Sequence, residues 1–253
     1  AGKSSILNRL IGEERVIVSP IAGTTRDAID TYIEMDGKKY LFIDTAGIRR
    51  KSKVYENIEK YSVIRAYASV EKADVVLTVI DATEGISEQD SKIAGLAHDA
   101  GKASIVVVNK WDLIEKDNHS VKEYTKKIRE ELPFMQYCPI LFVSALTSQR
   151  MGKIKETVDF IFDEASKRVA TGVLNDVIGE AVMMNQPPSD KGKRLKIYYA
   201  TQVGVRPPTF AIFVNEKELF HFSYQRYIEN KLRENFGYEG TPLKIYVREK
   251  NRK

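Results

Sequence analysis

Short, almost wholly apolar runs recur along the first two thirds of the chain: KYLFID (39–44), DVVLTVID (74–81), SIVVVNK (104–110) and PILFVSA (139–145). Runs of this length without polar alternation predict strands buried on both faces, the pattern of a parallel sheet. Between them, apolar and charged positions mix over 55–70, 88–101, 120–131 and 153–168, which predicts helices. Strands alternating with helices of that length are crossover units, so the expected fold is α/β with a doubly wound sheet and ligands at the carboxyl ends of its strands. Near residue 172 the pattern changes. A helix in LNDVIGEAVMMN, a Pro/Lys/Gly loop, strands in RLKIYYATQV and TFAIFVN joined by GVRPPT, a long helix in SYQRYIENKLRENF and a strand in PLKIYV give an α-β-β-α-β order. The chain therefore reads as two domains, 1–171 and an α+β module at 172–253, with Gly237 suited to a helix end.

Composition narrows the setting. At 43% hydrophobic and 30% charged residues, the 253-residue chain can bury a core and is not disordered. Cys138 is the single cysteine, so no internal disulfide forms, and the N-terminus lacks the layout of a secretion signal; both fit a reducing cytoplasm. Apolar runs such as VVLTVI fall far short of the roughly 20 residues that span a bilayer. The three histidines lie far apart without partner cysteines, which gives a structural zinc site little support. The net charge of +5 lies in the last third, where 14 Lys+Arg face 9 Asp+Glu, while residues 1–171 balance at 26 of each. Two readings fit that excess: an acidic partner such as RNA, or a basic surface that serves solubility.

Four motifs lie in order along the first domain. AGKSS at 1–5 matches the end of a phosphate-binding loop: Gly2 and neighbouring backbone N–H groups wrap phosphates, Lys3 neutralises the β/γ oxygens, Ser4 holds Mg2+, and Ser5 continues into a helix whose positive end faces the same phosphates. DTAG at 44–47 follows a strand; Asp44 suits a Mg2+-bound water and the Gly47 N–H the γ-phosphate, with Thr45 and Ala46 between them. NKWD at 109–112 discriminates most. The Asp112 carboxylate can accept from guanine N1–H and the exocyclic amine, which adenine does not offer. Lys110 can lay its stem over the base, Asn109 can tie this loop to the phosphate loop, and Trp111 reads as packing. SAL, with Ser144, Ala145 and Leu146, can give a backbone N–H to guanine O6. Each motif alone is weak; their order, each at a strand end or helix start, carries the assignment. In IAGTTRDAID a threonine is wanted for the Mg2+ shell and the γ-phosphate, Thr25 first and Thr24 close behind, although the segment also reads as a Gly-Thr turn leading into a strand. Lys3, Thr25 and Gly47 are the residues placed nearest the chemistry.

With AGKSSILNRL, AGTTRDAID, DTAGIRRKSKVYENIEKYSVIRA, EQDSKIAGLAHDAGKASIVVVNKWD and LNDVIGEAV together, the chain resembles the Der (EngA) family of bacterial GTPases of large ribosomal subunit assembly, over essentially its whole length. That family joins two GTPase domains to a KH-like domain, and this chain resembles the second GTPase domain plus the KH-like module. The resemblance implies GTP and GDP as ligands, Mg2+ with the nucleotide, the large ribosomal subunit and its rRNA as partners, an upstream GTPase domain in the same protein, and a cytoplasmic monomer. The family's phosphate loop begins before residue 1, so the first strand, first glycine and an asparagine are expected in a longer protein. Ile48 stands where many GTPases carry a water-orienting glutamine; an aliphatic side chain cannot polarise water. The resemblance implies help from K+ and slow intrinsic turnover. Arg49, Arg50, Lys51 and Lys53 follow the switch motif and can meet RNA, the neighbouring domain or solvent. No GxxG loop lies between helices of the second module, which sets it apart from KH domains that clamp single-stranded RNA; Lys250, Arg252 and Lys253 are scattered basic candidates for rRNA. The aromatic pairs in IYYA and FHFSY fit either a core or base stacking. Two other readings stay open: an rRNA-binding module without catalysis, and an ATP-dependent P-loop enzyme if Asp112 does not face the base.

Overall fold

The computed structural model describes residues 1–13, 19–20, 31–43, 66–115, 119–187, 189–190 and 192–250. The chain divides into two compact units, Ala1–Asp159 and Phe160–Lys253.

In the first unit, helix α1 (Lys3–Glu13) is followed by β1 (Ser19–Pro20), β2 (Thr31–Met35) and β3 (Lys38–Phe42). These strands form an antiparallel sheet in the order β1-β2-β3. Asp36 and Gly37 make the β2–β3 turn with φ of 50° and 75°, the positive pair a tight two-residue hairpin requires. The Asp-Gly pair is a hairpin signal that the apolar runs alone do not carry. Leu7 of α1 packs on Ile33 and Met35, with Ile11, Tyr40 and Phe42 around them.

A parallel sheet follows, ordered β4 (Val75–Asp81), β5 (Ala103–Asn109), β6 (Ile140–Phe142). Helices α2 (Glu88–Asp99) and α3 (Ser120–Glu131) are its crossovers, which makes the unit α/β. Every residue of the central strand β5 is buried, as its unbroken apolar run demands. Ser87 starts α2 with a reciprocal capping box: its hydroxyl accepts from the Asp90 N–H at 3.2 Å, and Asp90 accepts from the Ser87 N–H at 3.0 Å. Arg129 of α3 closes the next connection by donating to the Met135 and Cys138 carbonyls. The apolar run at 39–44 departs from expectation. Its strand β3 is antiparallel and leaves Leu41 41% exposed, because β3 is the edge of its own sheet among the described residues. Periodicity cannot tell such an edge from a central strand.

Helix α4 (Gly152–Ser166) contains the division between the units. The second unit continues with α5 (Thr171–Met184), a small hairpin of β7 (Ser189–Asp190) and β8 (Lys193–Arg194), then β9 (Ile197–Gly204), β10 (Thr209–Val214), α6 (Phe222–Phe236) and β11 (Lys244–Glu249). The sheet order is β11-β10-β9, with β10 antiparallel to β9 and parallel to β11. This is the α-β-β-α-β order read from the sequence. Leu174 and Ile178 of α5 and Tyr224, Ile228 and Leu232 of α6 meet Ala200, Phe210, Ile212 and Val214 of the sheet in one core. Gly237 ends α6 with φ of 88°, and Gly240, at φ 75°, lies so close to Ile161 that a Cβ there would approach its Cγ2 to 2.4 Å.

Candidate nucleotide site

The carboxyl ends of β4, β5 and β6 carry the polar residues. Asp81 and Asn109 are register partners at the ends of β4 and β5, and SAL follows β6 after Val143. Lys110 turns the chain sharply with φ of 61°, and the single helical turn Trp111–Leu113 comes next. Trp111 fixes that turn. It is 2% exposed, packs 4.5 Å from the Phe142 ring and edge-on to Tyr124, and donates its backbone N–H to the Val143 carbonyl at 3.1 Å. Its reading as packing holds.

Asn109 is 2% exposed and joins three segments. Its Nδ2 donates to the Ala1 carbonyl at 3.1 Å, and its Oδ1 accepts from the Ala145 N–H at 3.1 Å. The tie between this strand end and AGKSS is thus in place. Gly2 lets it form: its φ is 79°, and a Cβ there would sit 2.5 Å from Asn109 Nδ2. Lys3, Ser4 and Ser5 form the first turn of α1, so their backbone donors and the helix dipole share one end.

Asp112 holds the most telling atom. Its Oδ1 is buried and has no hydrogen-bond partner among the described residues. An unpaired buried acceptor of this kind costs about 1–3 kcal/mol, more when charged, and a ligand's N–H donors could satisfy it. In SAL, Ser144 is fully buried, its N–H goes to the Gln149 carbonyl, and its hydroxyl accepts from the Thr147 N–H at 3.1 Å. The Ala145 N–H is taken by Asn109, which leaves the Leu146 N–H as the free backbone donor of the three among the described residues.

Two residues that sequence reading passed over build the same site. Arg9 of α1 donates through Nε to the Ala145 carbonyl at 3.2 Å and through Nη2 to the Leu146 carbonyl at 2.9 Å, so the phosphate-side helix also fixes SAL. Nothing in the pattern of α1 singles it out. Asp81, 2% exposed, meets the Lys110 ammonium at 2.5 Å and accepts from the Thr83 N–H and hydroxyl at 3.1 and 2.7 Å. Burial pushes its carboxyl up, but the bonds from Lys110 and Thr83 outweigh that and hold it down at about 2. The hydrogen bond to Asp81 in turn raises Lys110. A carboxylate ending an apolar strand was the available signal for Asp81. Thr24, Thr25, Asp44, Thr45, Ala46, Gly47, Ile48, the basic residues Arg49, Arg50, Lys51 and Lys53, and Arg252 and Lys253 lie outside the described residues, as does most of the helix expected at 55–70.

A parallel α/β sheet with a glycine-led helix N-terminus, an Asn-Lys-x-Asp turn and a buttressed SAL loop at its carboxyl end defines the P-loop GTPase class. Residues 1–110 match the family model described as 50S ribosome-binding GTPase, and residues 168–248 match that of the KH-domain-like region of EngA bacterial GTPase enzymes, C-terminal. GTPase Der of Ruminiclostridium cellulolyticum is 62% identical over 252 residues, which is 100% of this chain and 57% of that protein. GTPase Der of Alkaliphilus metalliredigens is 64% identical over 250 residues, 99% of this chain and 57% of its own length. Among solved structures, Era in complex with MgGDPNP and a segment of 16S ribosomal RNA aligns over 98% of this chain and 89% of that one, at 25% identity and a TM-score of 0.46. The chain belongs to the Der (EngA) family of GTPases and corresponds to its second GTPase domain and C-terminal KH-like domain. It spans somewhat over half the length of the curated relatives it matches.

Proposed function

We propose that the chain binds GTP and GDP and hydrolyses GTP to GDP and phosphate, as a switch acting in assembly of the large ribosomal subunit. Residues 1–171 carry the nucleotide chemistry and 172–253 the KH-like module, with the nucleotide state controlling how the two are arranged. The observation that carries the reading is the buried, unpaired Oδ1 of Asp112, held in a turn that Trp111 anchors. Guanine N1–H and its exocyclic amine are the donors that such a carboxylate lacks, and adenine supplies neither. Asn109 and Arg9 lock the surrounding loops, so little is reorganised on binding. The free Leu146 N–H supplies a donor for O6, with Ser144 and Ala145 shaping that loop.

Gly2, Lys3, Ser4 and Ser5 receive the phosphates at the α1 N-terminus. The half-buried Ser4 hydroxyl in that first turn is an oxygen donor of the kind Mg2+ takes, so the residues fit the ion; in this reading Thr25 would complete its protein ligands and Asp44 would hold it through a bound water. Mg2+ supplies charge neutralisation at the phosphates. Gly47, with Thr45 and Ala46 beside it, senses the γ-phosphate. Ile48 leaves the water to be oriented by another group, so turnover is slow and raised by K+; equal rates in Na+ and K+ for the complete protein would count against this. The decisive experiment is a fluorescent-GDP titration with Mg2+ and unlabelled GTP and ATP as competitors. GTP displaces the probe and ATP does not, and Asp112→Asn weakens GTP at least about a hundredfold. Displacement by ATP, or unchanged GTP preference in Asp112→Asn, would refute the reading.

A further inference from the structure

The sheet of the second unit has one face covered by α5 and α6, and among the described residues of that unit no helix packs on the other. On β9, β10 and β11 the residues alternating with Ala200, Phe210, Ile212, Ile245 and Val247 turn to that open side. Register places Tyr199 beside Phe213 and Phe213 beside Arg248; one step along, Ala211 lies between Thr201 and Tyr246, and Lys244 borders the next row. The Tyr199 and Phe213 rings are stacked with centroids 4.3 Å apart and planes 13° apart. Tyr246 is 52% exposed and Tyr199 39%. Core packing does not account for aromatics so exposed.

Charge on the face has one sign. Lys244 and Arg248 stand on it, its strand positions include no carboxylate, and neither cation has an ion-pair partner among the described residues. At the adjoining β9 irregularity, the Lys250 ammonium lies 5.3 Å from the Tyr198 ring centre. Rings that stand clear of the core beside unpaired cations suit unpaired bases and their phosphates; a duplex hides its base faces.

We propose that this open sheet face is a binding site for single-stranded RNA, with bases stacking on Tyr199/Phe213 and on Tyr246 and phosphates meeting Arg248 and Lys244. The choice of RNA rests on the ribosome-associated reading above. The site differs from a KH clamp, since it lies on the sheet and needs no GxxG loop.

The test is fluorescence anisotropy of the full 253-residue chain with a short labelled single-stranded RNA of mixed sequence, over a salt series. Tyr246→Ala and Tyr199→Ala each weaken binding between about fivefold and about a hundredfold, whereas Tyr246→Phe, which keeps the ring, binds like the parent. Arg248→Ala lowers the slope of log affinity against log salt by about 0.7. Lys122→Ala, on α3 of the first unit, changes nothing. If Arg248→Ala weakens binding while both tyrosine variants do not, the face is only a basic surface and the stacking site is refuted. Equal binding of the duplex form, or a change in sedimentation mass on Tyr246→Ala, refutes it too, the latter by showing a protein contact. Fluorescent-GDP titration of the same variants separates the two readings. Absent RNA binding with intact GDP binding sinks this proposal alone, and loss of guanine selectivity in the parent sinks the GTPase reading.

Discussion

Asp81 offers the sharpest check on how the site is held together. Its carboxyl sits at about 2 against an ordinary 3.8, which makes its ionised form worth about 2 kcal/mol to the folded state. Because the folded value is depressed, that contribution is complete at pH well above 3.8 and is lost as pH falls through about 2. About half is gone by pH 3. Asp81→Asn removes it at every pH while the amide oxygen can still accept from Thr83. The variant should therefore be about 2 kcal/mol less stable at pH 7, a fall of about 1 M in the urea midpoint, and should approach the parent as pH drops towards 2. Trp111 is the chain's only tryptophan and packs in the first unit next to this site, so its fluorescence reports the unfolding of that unit directly. Other carboxylates titrate in both proteins and cancel in the difference. A difference between parent and variant that stays constant from pH 7 to pH 3 would refute the argument, since the Lys110–Asp81 pair could then not be the source of the depressed carboxyl.

Asn109→Ala deletes the bonds to Ala1 and Ala145 and leaves a buried N–H unpaired, so fluorescent-GDP affinity should fall about 30-fold or more, with far-UV circular dichroism unchanged. Arg9→Ala should weaken the same probe several-fold by freeing the carbonyls of SAL, although Arg9 touches no proposed ligand atom; an unchanged affinity would show that SAL needs no buttress. Gly240→Ala and Gly192→Ala both place an L residue at positive φ, 75° and 78°, but only the first drives a Cβ against Ile161. In denaturant titrations Gly192→Ala should cost about 1 kcal/mol and Gly240→Ala about 1–3 kcal/mol more; equal losses would mean that the close approach relaxes.

Much of this was legible in the residues. The apolar runs specified β4, β5 and β6 because a strand buried on both faces must be continuously apolar, and the capping and helix-end signals at Ser87 and Gly237 are local chemistry. The order GKS, DTAG, NKWD, SAL is the ground in the sequence for proposing a guanine nucleotide, and NKWD and SAL do fall at strand ends in the fold. What lay beyond reach was whatever depends on partners distant in sequence. The run 39–44 reads like a central strand, and only the hydrogen-bonding pattern makes β3 an edge. Arg9 is one more basic residue on a helix until folding sets it against the carbonyls of residues 145 and 146. Asp81 gains its charge state from Lys110 across a strand pair, and Asp112 its unpaired oxygen from burial. The sequence by itself determined the element types and carried the motifs from which the ligand is proposed, both set by neighbours along the chain. Tertiary structure alone decided which polar atoms are buttressed, which stay open to a ligand, and that Tyr199 and Tyr246 stand on an uncovered sheet face, because burial and pairing are properties of segments brought together from far apart.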